Sequence, residues 1–278
     1  MFYYFTDRGN LFNEDFVYGT GDFGVLLDGA TGLNNKKFTT GNTDAQYWSH
    51  LLGTKLIEKI EADDEQSLEQ NISEALTSAS EAYFHNIGTD IAVEESDLPS
   101  CTLSCFKIRN HIAEFAIVGD SPLIIKKGEQ EHIFIDEKLE ANEQLAINEI
   151  KSYLKEGLSF QEGRQKINPL LQKFRNERNT EEGYPILDPT MKGLSEIGYH
   201  TFPVEEIDAI ILCSDGFYRL LDVFEVLTDQ TFIESLQSYP KAVAWVDKLR
   251  QLEKQQDSLR NFVRLKESDD ASVNFWKQ

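Results

Sequence analysis

Four stretches of this 278-residue sequence run apolar and then stop, or break, at an aspartate beside small residues. They read Val25-Leu26-Leu27-Asp28-Gly29, Ala116-Ile117-Val118-Gly119-Asp120-Ser121, Ile210-Ile211-Leu212-Cys213-Ser214-Asp215-Gly216 and Ser268-Asp269-Asp270-Ala271-Ser272-Val273. A fifth acidic position, Asn13-Glu14-Asp15, lies near the start. An apolar run of this kind is the pattern of a buried strand. An aspartate at its end, followed by glycine or serine, sits where the backbone can turn sharply out of the sheet. One such site is an ordinary turn. Five, far apart in sequence, predict carboxylates gathered at one edge of a sheet core. Like charges repel, so the gathering needs a cation among them. Hard divalent ions such as Mg2+ or Mn2+ prefer oxygen ligands.

Periodicity fills in the rest. Residues 2–7, 14–19 and 23–28 read as strands, followed by a loop over 29–42. Thr43 or Asp44 caps a helix running to about Ala62, and Leu68, Ile72, Ala75, Leu76 and Ala79 make a second, ending near His85. Strands return at 101–108, 112–119, 122–127 and 132–135, with hairpin turns at Arg109-Asn110 and Lys127-Gly128. Residues 137–185 are charged and carry two or three helices. Strands follow at 194–202 and 208–213, helices at 216–227, 229–237 and 240–263, and a last strand at 271–276. Strand groups separated by helix pairs make an α+β protein, and the length suits one large domain or two small ones.

Charge narrows the function. Forty-eight acidic against 27 basic residues give a net charge of −21, which disfavours nucleic acid and anionic membrane as partners. Cys101, Cys105 and Cys213 suit reduced core positions rather than disulfides or a zinc site. The start lacks a signal peptide's pattern, and no run reaches the ~18 apolar residues of a membrane span. A cytoplasmic monomer is expected.

The order and wording of the five acidic motifs resemble the metal-dependent protein phosphatases of type 2C, the serine/threonine phosphatases of the PPM superfamily. That family has an acidic pair near the start, then Asp-Gly-x-Gly-Gly, Gly-Asp-Ser, Ser-Asp-Gly and Asp-Asn-x-Thr-Val. The counterparts here are Glu14-Asp15, Asp28-Gly29-Ala30-Thr31-Gly32, Gly119-Asp120-Ser121, Ser214-Asp215-Gly216 and Asp269-Asp270-Ala271-Ser272-Val273. The resemblance runs from about residue 5 to 277, which implies one domain over 1–278, with the helical stretch at about 137–193 in the place of the family's variable flap. It implies two packed antiparallel β-sheets flanked by helix pairs, with a metal site at one edge of the sandwich. It also implies hydrolysis of phosphoserine or phosphothreonine in a phosphorylated protein, using water activated by two Mn2+ or Mg2+ ions and no protein nucleophile.

Carried over by position, Asp28 would bridge the metals and Gly29 would offer its carbonyl. Asp215 and Asp269 would complete the first metal, and Glu14 would support the second. Asp120 would help hold a third, weaker ion, or be a plain turn. Asp15 and Asp270 would stand behind the ligands and orient them, although Glu14 and Asp15, like Asp269 and Asp270, are adjacent and either of each pair can serve. The family's phosphate-binding arginine position is Asn10. Arg8, two residues further back, either reaches in to the phosphate or is a solvated turn residue beside Gly9. Thr31 replaces a glycine, and Ala30 stands where some members carry a histidine acid. These departures keep two other readings open: a catalytically weak relative that binds phosphoproteins, and a small-molecule phosphomonoesterase.

Overall fold

A computed structural model of the chain describes residues 1–30, 32–34, 36–88 and 93–278. Thr31 lies outside the described residues. The strands are β1 (Phe2–Asp7), β2 (Phe16–Gly19), β3 (Phe23–Leu27), β4 (Gly29–Ala30), β5 (Ser100–Cys101), β6 (Leu103–Arg109), β7 (Ile112–Val118), β8 (Leu123–Lys127), β9 (Gln130–Phe134), β10 (Gly198–Pro203), β11 (Ala209–Cys213) and β12 (Ala271–Lys277). Two five-stranded antiparallel sheets form, in the orders β1-β12-β11-β8-β9 and β10-β7-β6-β3-β2, and β4 and β5 pair separately.

The apolar runs follow from a position between two layers. Leu26 of β3 points into the inter-sheet core with Phe106, Phe115, Leu123, Ile125, Ile210 and Leu212. Its neighbours Val25 and Leu27 pack on the opposite face beneath helices α1 (Asp44–Ala62) and α2 (Leu68–Ile87). In the other sheet Ile211, Cys213, Val273 and Phe275 face α6 (Asp215–Asp222), α7 (Asp229–Ser235) and α8 (Tyr239–Glu253). A strand covered on both faces has no polar side, so it reads as a continuous apolar run. Each such buried leucine or phenylalanine contributes ~1.5–3 kcal/mol. β12 is the exception: its inward residues Ser272 and Asn274 are fully buried and polar. Ser272 Oγ donates to Asp15 Oδ2 at 2.6 Å, and Asn274 Nδ2 donates to the Tyr18 carbonyl at 2.9 Å.

Residues 137–177 form three helices, α3 (Glu137–Lys155), α4 (Phe160–Lys166) and α5 (Asn168–Glu177). They share a small core of Ala146, Ile150 and Ile167, packed against Val263 and Leu265 from the segment before β12. The three cysteines are buried and free. Among the described residues no helix is long and apolar enough to cross a membrane.

Several boundaries differ from the periodicity. Thr43 Oγ1 is the helix cap, accepting from Gln46 N at 3.0 Å, while Asp44 ties back to the Phe38 and Thr39 amides. The β6–β7 turn is Asn110-His111, one residue later than expected, with both φ values positive (48° and 65°). The helix expected over 240–263 ends at Glu253, and a short α9 (Ser258–Asn261) follows Asp257, whose φ is 58°. The strand expected from 194 begins at Gly198, after a 3-10 turn over Lys192–Glu196. The loop expected over 29–42 contains β4, which pairs Gly29 with Cys101.

Candidate metal centre

Each acidic residue leaves a strand end at the same edge of the sandwich. Asp28 follows β3, and its backbone is held by Thr102: the Thr102 amide donates to the Asp28 carbonyl at 2.9 Å, and the Asp28 amide donates to Thr102 Oγ1 at 3.2 Å. A Cβ on Gly29 would lie 2.7 Å from the Glu14 carbonyl oxygen, so glycine lets the Glu14 segment close on Asp28. Asp215 opens α6. A Cβ on Gly216 would lie 1.9 Å from the Asp270 carbonyl oxygen, so this glycine seats α6 against the loop carrying Asp269. Asp120 follows Gly119, whose φ of +89° turns the chain out of the sheet. The Gly119 carbonyl accepts from the Asp136 amide at 3.0 Å, tying the start of α3 to the Asp120 turn.

The result is one cavity of about 340 Å³ lined by Glu14, Asp28, Gly29, Asp120, Asp215 and Asp269, which were all expected, and by Glu143 of α3, which was not. The Asp28 and Asp215 carboxyls are close enough for Asp215 to raise the Asp28 pKa. Carboxylate oxygens of Asp120, Glu143 and Asp215 lie within 4.8 Å of one another. The insert supplies a wall of Leu139, Leu171, Phe174, Arg175 and Tyr184.

The adjacent acidic pairs separate by what they touch. Asp270 accepts from the Gly9 amide at 2.8 Å through Oδ1 and from the Glu14 amide at 2.7 Å through Oδ2, so it pins the N-terminal loop. Asp269 faces the cavity. Its Oδ2 accepts from Arg219 Nη2 at 2.8 Å, and its Oδ1 accepts from Lys266 Nζ at 3.1 Å. Glu14 lines the cavity, whereas Asp15 is buried behind it, with Oδ1 lacking any partner among the described residues. Arg8 is exposed beyond β1 and is not among the cavity-lining residues, as is also true of Asn10.

Electrostatics records the crowding. Burial first, then the charges of Asp15, Asp215 and Asp269, hold the Asp28 carboxyl well above the usual carboxylate range. Burial, then Asp215 and Glu143, do the same to Asp120. Burial and then Asp215 push Glu143 up to about 7. Asp269 moves the other way: burial works upward, but Lys266 and Arg219 outweigh it and lower the pKa. Clustered oxygen donors, neutral only when protonated, together with an orphaned Asp15 oxygen, fit hard divalent ions.

Glu143 carries no sequence signal, because it is one acid among many on a charged helix. Arg219 had one: it stands four residues after Asp215, the spacing that puts both on one helix face. Lys266, three residues before Asp269, lies outside the acidic motifs.

A sequence profile described as protein phosphatase 2C matches residues 8–264. No curated protein sequence matches the chain. Among solved structures, the Mycobacterium tuberculosis serine/threonine phosphatase PstP/Ppp is 17% identical with a TM-score of 0.57, covering 100% of this chain and 99% of that one. The catalytic domain of PstP in complex with two manganese ions is 17% identical with a TM-score of 0.55, covering 99% and 96%. Serine/threonine phosphatase Stp1 from Staphylococcus aureus is 17% identical with a TM-score of 0.56, covering 100% and 94%. At these identities the likeness to solved structures establishes the shared two-sheet fold.

Proposed function

The chain belongs to the protein phosphatase 2C family, and from that premise we propose that it is a divalent-metal-dependent phosphatase acting on phosphoserine and phosphothreonine in proteins. The observation that carries this reading is the single cavity into which Glu14, Asp28, Gly29, Asp120, Asp215 and Asp269 converge. Asp28, Asp215 and Asp269 would hold one ion, and the Gly29 carbonyl would serve that ion or its neighbour. Asp28 and Glu14 would hold a second. Asp120, Asp215 and Glu143 offer donors for a further one. Mn2+ or Mg2+ in these places supplies Lewis-acid polarisation of the phosphoryl oxygens and acidifies water, and the manganese pair in the PstP complex supports Mn2+.

The chain's own residues set geometry and access. Asp15, bonded to Ser272, holds the Glu14 segment from behind. Asp270 fixes the Gly9 and Glu14 amides. Leu139, Leu171, Phe174 and Tyr184 give the cavity an apolar side, which suits the residues flanking a phosphorylated side chain better than a small phosphate ester. The insert over 137–193 would therefore select the substrate.

The test is phosphate release from a phosphothreonine peptide and from p-nitrophenyl phosphate, with Mn2+, Mg2+ or EDTA, beside Asp28→Asn. Turnover should require metal, favour the peptide in kcat/KM, and fall at least ~100-fold in Asp28→Asn, beyond the usual loss for groups behind the ligands. Full activity in Asp28→Asn refutes the mechanism. The pairing of Asp269 with Arg219 and Lys266 favours one rival, a catalytically weak phosphoprotein-binding relative. Mn2+ binding without turnover would select it.

A further inference from the structure

Four cations line the cavity: Arg164, Arg175, Arg219 and Lys266. Three are fixed to the protein. Arg164 Nε donates to the Leu265 carbonyl at 3.2 Å and Nη1 to Asn168 Oδ1 at 2.8 Å. Arg175 Nη2 donates to the Ala30 and Leu98 carbonyls, both at 3.0 Å. Arg219 is 4% exposed and grips Asp269 Oδ2. Lys266 differs. Its side chain is 48% exposed, and its one hydrogen bond among the described residues is the 3.1 Å contact with Asp269 Oδ1.

Asp269 is thus charge-compensated by the protein itself. Its Oδ2 is taken by a buried, planar guanidinium that cannot leave cheaply. Its Oδ1 is taken by an ammonium on a flexible four-carbon stem. A divalent ion at Asp269 meets Lys266 as its competitor, because two cations on one carboxylate oxygen repel. Released, the ammonium still projects from the cavity wall with three donors and no carboxylate.

We propose that Lys266 is a displaceable counter-cation: it competes with divalent metal for Asp269 and, once free, is the side chain that meets the substrate's phosphate. The second half rests on the phosphatase reading above; the first does not. The experiment is calorimetric. Mn2+ is titrated into metal-stripped wild type, Lys266→Met, Lys266→Arg and Arg8→Met, and inorganic phosphate is then titrated into each Mn2+-saturated protein.

Lys266→Met should bind Mn2+ roughly tenfold more tightly, through loss of one repelling charge, and phosphate roughly tenfold more weakly. Lys266→Arg should recover most of the phosphate affinity. Unchanged or weaker Mn2+ binding in Lys266→Met overturns the competition. Unchanged phosphate affinity overturns the second role, as does a loss found in Arg8→Met instead. A wild type that takes up Mn2+ but neither binds phosphate nor hydrolyses the phosphopeptide brings down the phosphatase reading together with that second role. Thermal unfolding of each variant checks that the half-exposed substitution leaves the fold intact.

Discussion

Asp15→Asn should stabilise the metal-free protein, and the gain should grow with pH. Asp15 is 2% exposed, with Oδ1 unpartnered and Oδ2 accepting from Ser272 Oγ. Burial, set against the Ser272 hydrogen bond and reinforced by Asp270, Asp269 and Asp215, raises its pKa from 3.8 to about 8. The unfolded chain then binds fewer protons than the native state between those values. Stability is accordingly lost as pH rises from about 4 to about 8, at up to ~1.36 kcal/mol per pH unit. The ceiling over that window is ~5–6 kcal/mol. Neighbouring carboxylates share the repulsion and relax when Asp15 is neutral, so the single change should recover ~2–3 kcal/mol at pH 8. Asparagine keeps an acceptor for Ser272. Urea unfolding in EDTA from pH 4.5 to 8 measures the effect: the two proteins should agree within ~0.5 kcal/mol at the acid end and diverge upward. Equal stability at pH 8, or a difference independent of pH, refutes the reasoning.

Asp270→Ala should cost ~3 kcal/mol by freeing the Gly9 and Glu14 amides, each of which donates a hydrogen bond to a charged group. Amide exchange should quicken over residues 8–15, with a smaller loss of Mn2+ affinity than in Asp269→Ala; the reverse ranking would move the ligand role to Asp270. Glu143→Gln should weaken the weakest class of Mn2+ sites by ~10-fold or more in calorimetry and leave the far-UV spectrum unchanged. An unaltered isotherm would remove Glu143 from the metal set.

Much of this architecture was legible because burial on two faces leaves a plain mark. The runs at 23–27, 115–118 and 209–213 have no polar alternation, and the structure covers both sides of each. Asp28 and Asp215 stood out because an acid within two residues of the end of such a run has few other reasons to be there. Turn registers were harder: Asn110 and His111 both adopt positive φ, and histidine carries a weak turn signal beside asparagine. Helix ends at Asp222 and Glu253 were invisible because the apolar spacing continues past them. Glu143 and Lys266 were missed for a different reason. Each depends on how the insert and the last loop pack against the sandwich, and no local pattern encodes that packing.

The insert's small core has a practical consequence for anyone transplanting it. Ala146, Ile150 and Ile167 are completed by Val263 and Leu265, which lie more than eighty residues further along the chain. Arg164 adds a hydrogen bond to the Leu265 carbonyl, one residue before Lys266. A graft cut at residues 137 and 193 would therefore carry an unfinished hydrophobic seat into its new host and leave an exposed one behind. The working unit for recombination is discontinuous: the three helices together with residues 263–266. Chimaeras built on that composite boundary should express and fold, whereas those built on the linear one should misplace the very loop that presents Asp269.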